Sequence, residues 1–249
     1  MLLWWAGMRP GSGWRSGLIA LVALAGCTMP AHGDWRLARR DSSCQVPDPA
    51  TTPAPVIQVY AARAVGWRGA FAVHSWIVVK PREASAYTRY EVIGWGVDRG
   101  VSAVRVDRMG PDDYWFGSRP QLLAAAQGDG VDALIVRVEA AIAAYPYPAS
   151  YRTWPGPNSN TFVAHVARAV PELRVDLPPT AIGKDFLPGG ALLALSPAGR
   201  GVQLSLLGLA GVLVGWDEGV EVNVLGLTFG VDVKEPALKV PAVGRLGTP

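Results

Sequence analysis

Hydrophobic and polar positions along this chain change period several times, and each change marks an element. Val56-Ile57-Gln58-Val59-Tyr60 is a short apolar run of strand length, and residues 71–80 and 90–97 continue in β-branched and aromatic residues. Residues 81–84 supply a short loop, so the second and third runs are expected to pair antiparallel. A four-residue loop places His74 directly opposite Glu91, because both are equidistant from its centre, and opposed residues share a face of the sheet. A register slip of two keeps them diagonal on that face, whereas a slip of one separates them. Residues 104–108 read as a further strand, followed by the aromatic turn Asp112-Asp113-Tyr114-Trp115-Phe116-Gly117.

Helical signals come next. Ser118 is expected to cap a short helix with Pro120 in its first turn and an end near Gly128. Asp132 is expected to cap a second over residues 133–144, apolar on nearly every side and therefore buried. A third opens out of Trp154-Pro155-Gly156-Pro157-Asn158-Ser159-Asn160-Thr161-Phe162-Val163, where Pro and Gly stiffen the approach and Asn and Ser are good N-caps. At about 100° per residue, Phe162, Val163, Val166 and Val170 fall on one face, Ala164 and Arg168 on the other, and Ser159 projects into the middle of the apolar face. Pro171 ends this helix, and residues 177–185 form a stiff loop with Lys184 and Asp185 at its tip.

Beyond it, residues 202–214 and 220–233 are Gly-punctuated apolar segments around Asp217-Glu218-Gly219, a hairpin turn. Gly208, Gly211 and Gly215, together with the short run, speak against a membrane-spanning helix. The expected organisation is a leader over 1–26, a flexible tether over 27–55, a main domain over 56–187, and a C-terminal β-hairpin within 188–249 packed against it.

Composition changes the picture mainly at the N-terminus. The 249 residues are 50% hydrophobic and 17% charged, which is a globular balance. Arg9 and Arg15 precede an apolar run over 18–25, about half of the ~20 residues that span a bilayer, as in a secretory signal. Leu24-Ala25-Gly26-Cys27 resembles the lipobox of bacterial lipoproteins, which implies a lipidated Cys27 and attachment to the cell envelope with the bulk of the chain outside the cytoplasm. The apolar residues 1–5 leave an uncleaved anchor as the alternative. The 23 basic residues less Arg9 and Arg15 leave 21 against 20 acidic ones, so no nucleic-acid partner is expected. Cys27 and Cys44 lack metal-site spacing, and with only His32, His74 and His165 as imidazoles no metal site is expected. No glycine-rich phosphate loop stands out, and no cofactor is expected.

The string His74-Ser75-Trp76, the 112–117 turn, Tyr145-Pro146-Tyr147, the 155–162 motif and the 181–185 loop resemble the bacterial family called domain of unknown function 3750. More distantly, His74, Glu91 and Asn158-Ser159-Asn160 occur in the order found in permuted papain-like hydrolases, the group of lecithin retinol acyltransferase and the PPPDE peptidases. Tyr90-Glu91-Val92-Ile93-Gly94 also looks like the segment holding the third catalytic residue in some bacterial members. That resemblance implies an α+β fold, a permuted papain-like antiparallel sheet with the Ser159 helix packed on it. It further implies His74 as base, Glu91 as its orienter and Ser159 as nucleophile in a hydrolase or acyltransferase acting on an amide or ester. The nucleophile position departs from the pattern, since Ser stands where those enzymes have Cys. A thiol can be ionised before substrate arrives, but a serine must lose its proton as the bond forms.

Two readings of the site therefore stand: a serine-type acyl-transfer enzyme at the cell envelope, or a binding or scaffolding module that has lost the chemistry. Asn158 and Asn160 are cap residues or oxyanion donors, and Lys184 and Asp185 are a solvated turn or an anion-binding pair. Trp76, Trp95, Trp115 and Trp154 are read as core, and His165 as structural.

Overall fold

The first sheet is antiparallel, in the order β4-β3-β2-β1-β5, with β1 Val56–Arg63, β2 Val73–Lys80, β3 Thr88–Val92, β4 Val104–Val106 and β5 Gln121–Gln127. Helices α1 Val131–Ala143 and α2 Ser159–Ala169 follow, then a second antiparallel sheet. The computed structural model describes residues 34–247, so the leader, Cys27 and the choice between lipid and anchor lie outside the described residues. The chain is α+β, with two antiparallel sheets and two helices among the described residues.

Strands β1 and β2 lie in the middle of their sheet and are buried on both faces, which is why their sequences are nearly continuous in apolar residues. One face carries Ile57, Val59, Ile77, Val79 and Val92 against the two helices. The other carries Tyr60, Ala62, Trp76 and Val78 with Trp115. Side chains alternate along β2, so Ser75 points to the helix face and His74 to the other.

Three helical expectations are corrected. Residues 121–127 are not a helix capped by Ser118 but strand β5, paired with the open edge of β1. Leu122-Leu123-Ala124-Ala125-Ala126 has helical composition, yet that edge offers hydrogen bonds that a surface helix would leave unmade. The Ser118 hydroxyl accepts the Arg63 amide instead. Helix α1 starts at Gly130, which takes the N-cap position with φ 85°. Asp132 caps nothing and binds Arg82. Only one face of α1 is buried, and Val136 is 66% exposed. Helix α2 is the more enclosed of the two: Ala164, expected on the outer face, is fully buried, and Arg168 bonds Leu195 O on the second sheet.

Within the stretch expected as a flexible tether, residues 35–46 lie against the 109–118 loop. The Asp112 carboxylate accepts Ser42 Oγ (2.8 Å) and the amides of Gln45 and Val46, while Ser43 Oγ donates to Asp112 O.

The C-terminal region is not one hairpin but seven strands in a meander: β6 Leu193–Leu195, β7 Gly201–Leu206, β8 Ala210–Gly215, β9 Gly219–Val224, β10 Leu227–Asp232, β11 Ala237–Val240 and β12 Gly244–Gly247. The hairpin turn around Asp217-Glu218-Gly219 joins β8 to β9. A second tight turn, Leu225-Gly226, has positive φ at both residues, as a two-residue hairpin of this twist requires.

The polar side of this sheet faces inward. Gln203, Ser205, Glu221, Asn223 and Lys239 are buried against the main domain.

Candidate functional site

The two asparagines of the Asn158-Ser159-Asn160 motif are spent on structure. Asn158 Oδ1 accepts the amides of Asn160 and Thr161, and Thr161 Oγ1 accepts the Asn158 amide, which closes a capping box. Its Nδ2 donates to Thr153 O and Ile182 O. Gly183 (φ +99°) lies against this amide, where a Cβ would collide with it. Asn160 Nδ2 ties Val73 O to Ile182 O, and its Oδ1 accepts Ser75 Oγ at 2.8 Å. Ser159 is buried, and its carbonyl accepts Ser75 Oγ at 3.2 Å. The strand residue that meets the helix N-terminus is therefore Ser75 and not His74. No hydrogen bond joins Ser159 to His74 among the described residues.

Lys184 and Asp185 do not form a solvated turn; both are buried between the sheets. Lys184 Nζ binds Glu221 Oε2 at 2.5 Å, and Lys239 Nζ binds Glu221 Oε1 at 2.7 Å and both Asp176 oxygens at 2.8 Å. Asp185 accepts from Gln203 and from Asn223. These residues join the second sheet to the main domain.

His74 and Glu91 come together as side-chain parity requires. The register pairs Trp76 with Glu91, two positions from the simple loop arithmetic, so the pair is diagonal on one face with His74 Nε2 2.8 Å from Glu91 Oε2. Arg89 Nη2 binds the same oxygen at 2.8 Å, and its Nη1 donates to Gly110 O. Aromatic rings enclose the group: His74 stacks on Trp115 (3.8 Å, 12°), and the Arg89 guanidinium lies 4.0 Å over Trp76. Burial pushes the His74 imidazole below its ordinary 6.5, with the Glu91 hydrogen bond opposing. Burial alone would raise Glu91, but His74 and Arg89 hold it below the ordinary 4.5. A neutral His74 donating to an ionised Glu91, itself paired with Arg89, accounts for both directions.

This has a pH consequence. His74 and His165 both titrate below 6.5, in each case through burial, so the unfolded chain takes up protons first as pH falls. Stability should therefore fall from about pH 7.5 to about pH 5.5. The melting temperature measured across that window should drop, and His74→Gln should flatten the slope. The loss from Glu91 belongs to a lower window, below 4.5.

Beside this group lies a cleft of about 470 Å³ lined by Arg40, Arg99, Arg105, Arg108, Trp95, Trp115 and Phe116 among others. Arg105 sits directly across from Glu91 in the β3–β4 register, on the His74 face. Its Nη2 donates to Trp95 O at 2.6 Å, while its Nη1 is buried without a partner. Burial, and then Arg108, push its pKa down, against Glu91. None of the four arginines forms an ion pair with a carboxylate among the described residues. Trp95 lies parallel to Trp115 at 6.2 Å and is 57% exposed, and Trp154 is also half-exposed, so neither is the core residue expected.

Sequence reasoning passed over these arginines. Arg99, Arg105 and Arg108 are close enough to have been noticed as a basic run, but Arg40 comes from the segment read as tether.

No curated protein and no solved structure matches the chain. Residues 54–186 match the family described as Protein of unknown function (DUF3750), a span that takes in the first sheet, both helices and the Lys184-Asp185 loop. That span is just over half of the chain, and the protein accordingly belongs to the DUF3750 family.

Proposed function

We propose that this protein is a binding module that takes an anionic ligand with an apolar portion into the arginine-lined cleft. The observation that carries this reading is the set of four guanidiniums without carboxylate partners, one of them with a buried, unpartnered Nη1, on a wall of stacked tryptophans. A guanidinium fork matches a carboxylate or phosphate in geometry and charge, and exposed aromatic faces favour an apolar group beside it. A volume of about 470 Å³ suits a small-molecule ligand.

On this reading the chain retains the element order of a permuted papain-like frame, with a His74 strand, a Glu91 strand and then the Asn-Ser-Asn helix. The acyl-transfer alternative would need His74 to leave Glu91 and Trp115 and reach the opposite face of its strand. Attachment to the envelope through the N-terminus would set the cleft near acylated, acidic molecules of the cell surface.

The test is calorimetric titration with octyl phosphate, with inorganic phosphate and octyl glucoside as controls carrying only one half of the chemistry. Octyl phosphate should bind saturably, each control more weakly, and Arg105→Gln should lose at least about tenfold, the equivalent of one charged hydrogen bond. Equal binding by Arg105→Gln would defeat the reading.

A further inference from the structure

The second sheet is inverted relative to an ordinary domain surface. Its buried side is polar, as described above, and its outer side is aliphatic. Along β7 and β9 the alternation is strict: Gln203, Ser205, Glu221 and Asn223 turn inward, while Val202, Leu204, Val220 and Val222 turn out to solvent. Registers carry the pattern across all seven strands. Leu195 pairs with Val202, Val202 with Val214, Val214 with Val220, Val220 with Val231, Val231 with Leu238, and Leu238 with Leu246. A parallel row runs from Leu193 through Leu204, Val212 and Val222 to Phe229. Every member of both rows is at least 42% exposed, and none is polar.

A face of this kind costs free energy in water, and apolar patches beyond a few hundred Å² mark interfaces. Four strands of six residues and three of three or four, about 4.8 Å apart at about 3.4 Å per residue, present roughly 570 Å², so two such faces bury about 1,100 Å², above the roughly 1,000 Å² that a specific interface needs. A lipid surface fits less well. Six-residue strands are too short to span a bilayer, and interfacial binders carry a basic rim. Here the charges at one end of the sheet are mixed in sign and already paired, with Asp217 held by Lys234 at 2.8 Å and approached by Arg200 at 3.8 Å. An aliphatic sheet face lacking charge is, by contrast, complementary to itself, as the inner faces of β-sandwiches are.

We propose that the outer face of the second sheet docks on the same face of a second copy of this chain, forming a two-fold sheet-on-sheet sandwich. In such an isologous pairing the centre of the face lies at the two-fold axis, so a central residue meets its own copy. Val222 occupies that place, as the middle outward residue of β9, the fourth of seven strands.

The experiment uses the full chain, purified and examined with and without lipid vesicles. Val222→Cys is introduced into a background carrying Cys27→Ser and Cys44→Ser and treated with a short bis-maleimide that can bridge sheets about 10 Å apart. Val136→Cys, exposed on α1 and remote from the face, serves as the control. Val222→Cys should convert largely to covalent dimer and Val136→Cys should stay monomeric. Adding Val214→Lys and Phe229→Lys should abolish the dimer while the purified variant still melts cooperatively. A Val222→Cys chain that cross-links no better than Val136→Cys overturns the proposal. If its thiol then reacts freely with a water-soluble maleimide the face is bare, and if only lipid protects it the occupant is the membrane. Either result excludes the second copy.

Discussion

Glu221→Gln is expected to destabilise the protein by about 3–5 kcal/mol, the cost of leaving a buried charge without its counter-ion. Glu221 is the anion shared by Lys184 and Lys239, all three at most 2% exposed. Burial would raise its pKa, but the two ammonium groups hold it below the ordinary 4.5. Lys239 retains Asp176, so Lys184 is the group left stranded. Because whole domains are stable by only about 5–15 kcal/mol, this single change should move the urea midpoint by a large fraction of its value. The cost lies in the unpaired charge rather than in the pair itself. Lys184→Met combined with Glu221→Leu should therefore recover much of the loss. A Glu221→Gln midpoint close to wild type would mean that water reaches this cluster.

Glu91→Gln should cost a similar amount, about 3–5 kcal/mol, with a different signature. It removes the anion from Arg89, whose side chain is 1% exposed and enclosed by Trp76. It also releases His74 from the orientation that stacks it on Trp115. Near-ultraviolet circular dichroism, which reports the tryptophan stack, should change along with the melting temperature. Since Trp115 also lines the arginine cleft, ligand affinity should fall in the folded fraction. A stability loss that leaves the tryptophan signal untouched would separate the cleft from the His74 group.

How much of this was legible in sequence follows from which forces are local. The pairing of His74 with Glu91 was readable because side chains alternate with period two. The connection occupies residues 81–87 rather than 81–84, and the resulting slip of two preserves the face. The Asn158 cap was readable because capping is decided within four residues. Strand β5 was not, because the open edge of β1 overrides the helical composition of residues 122–126.

The seven-stranded sheet was hidden by its turns: Leu207-Gly208 and Leu225-Gly226 lack the Asn or Asp that usually marks positive φ. Its inversion, with Glu221 and Lys239 inside and valines outside, contradicts the ordinary rule for which residues are buried. That a helix opens at Ser159 followed from the cap and the spacing behind it. Which face of the sheet the helix covers is a tertiary fact, and it brings Ser75 and not His74 to the helix N-terminus.

The most direct measurement sets Ser159→Ala beside Arg105→Gln in one calorimetric titration with octyl phosphate. The expected result is wild-type affinity for Ser159→Ala and at least about tenfold weaker binding for Arg105→Gln. Loss of binding in Ser159→Ala with Arg105→Gln unaffected, or covalent capture of Ser159 by a serine-reactive fluorophosphonate, would contradict it and return the function to the helix N-terminus.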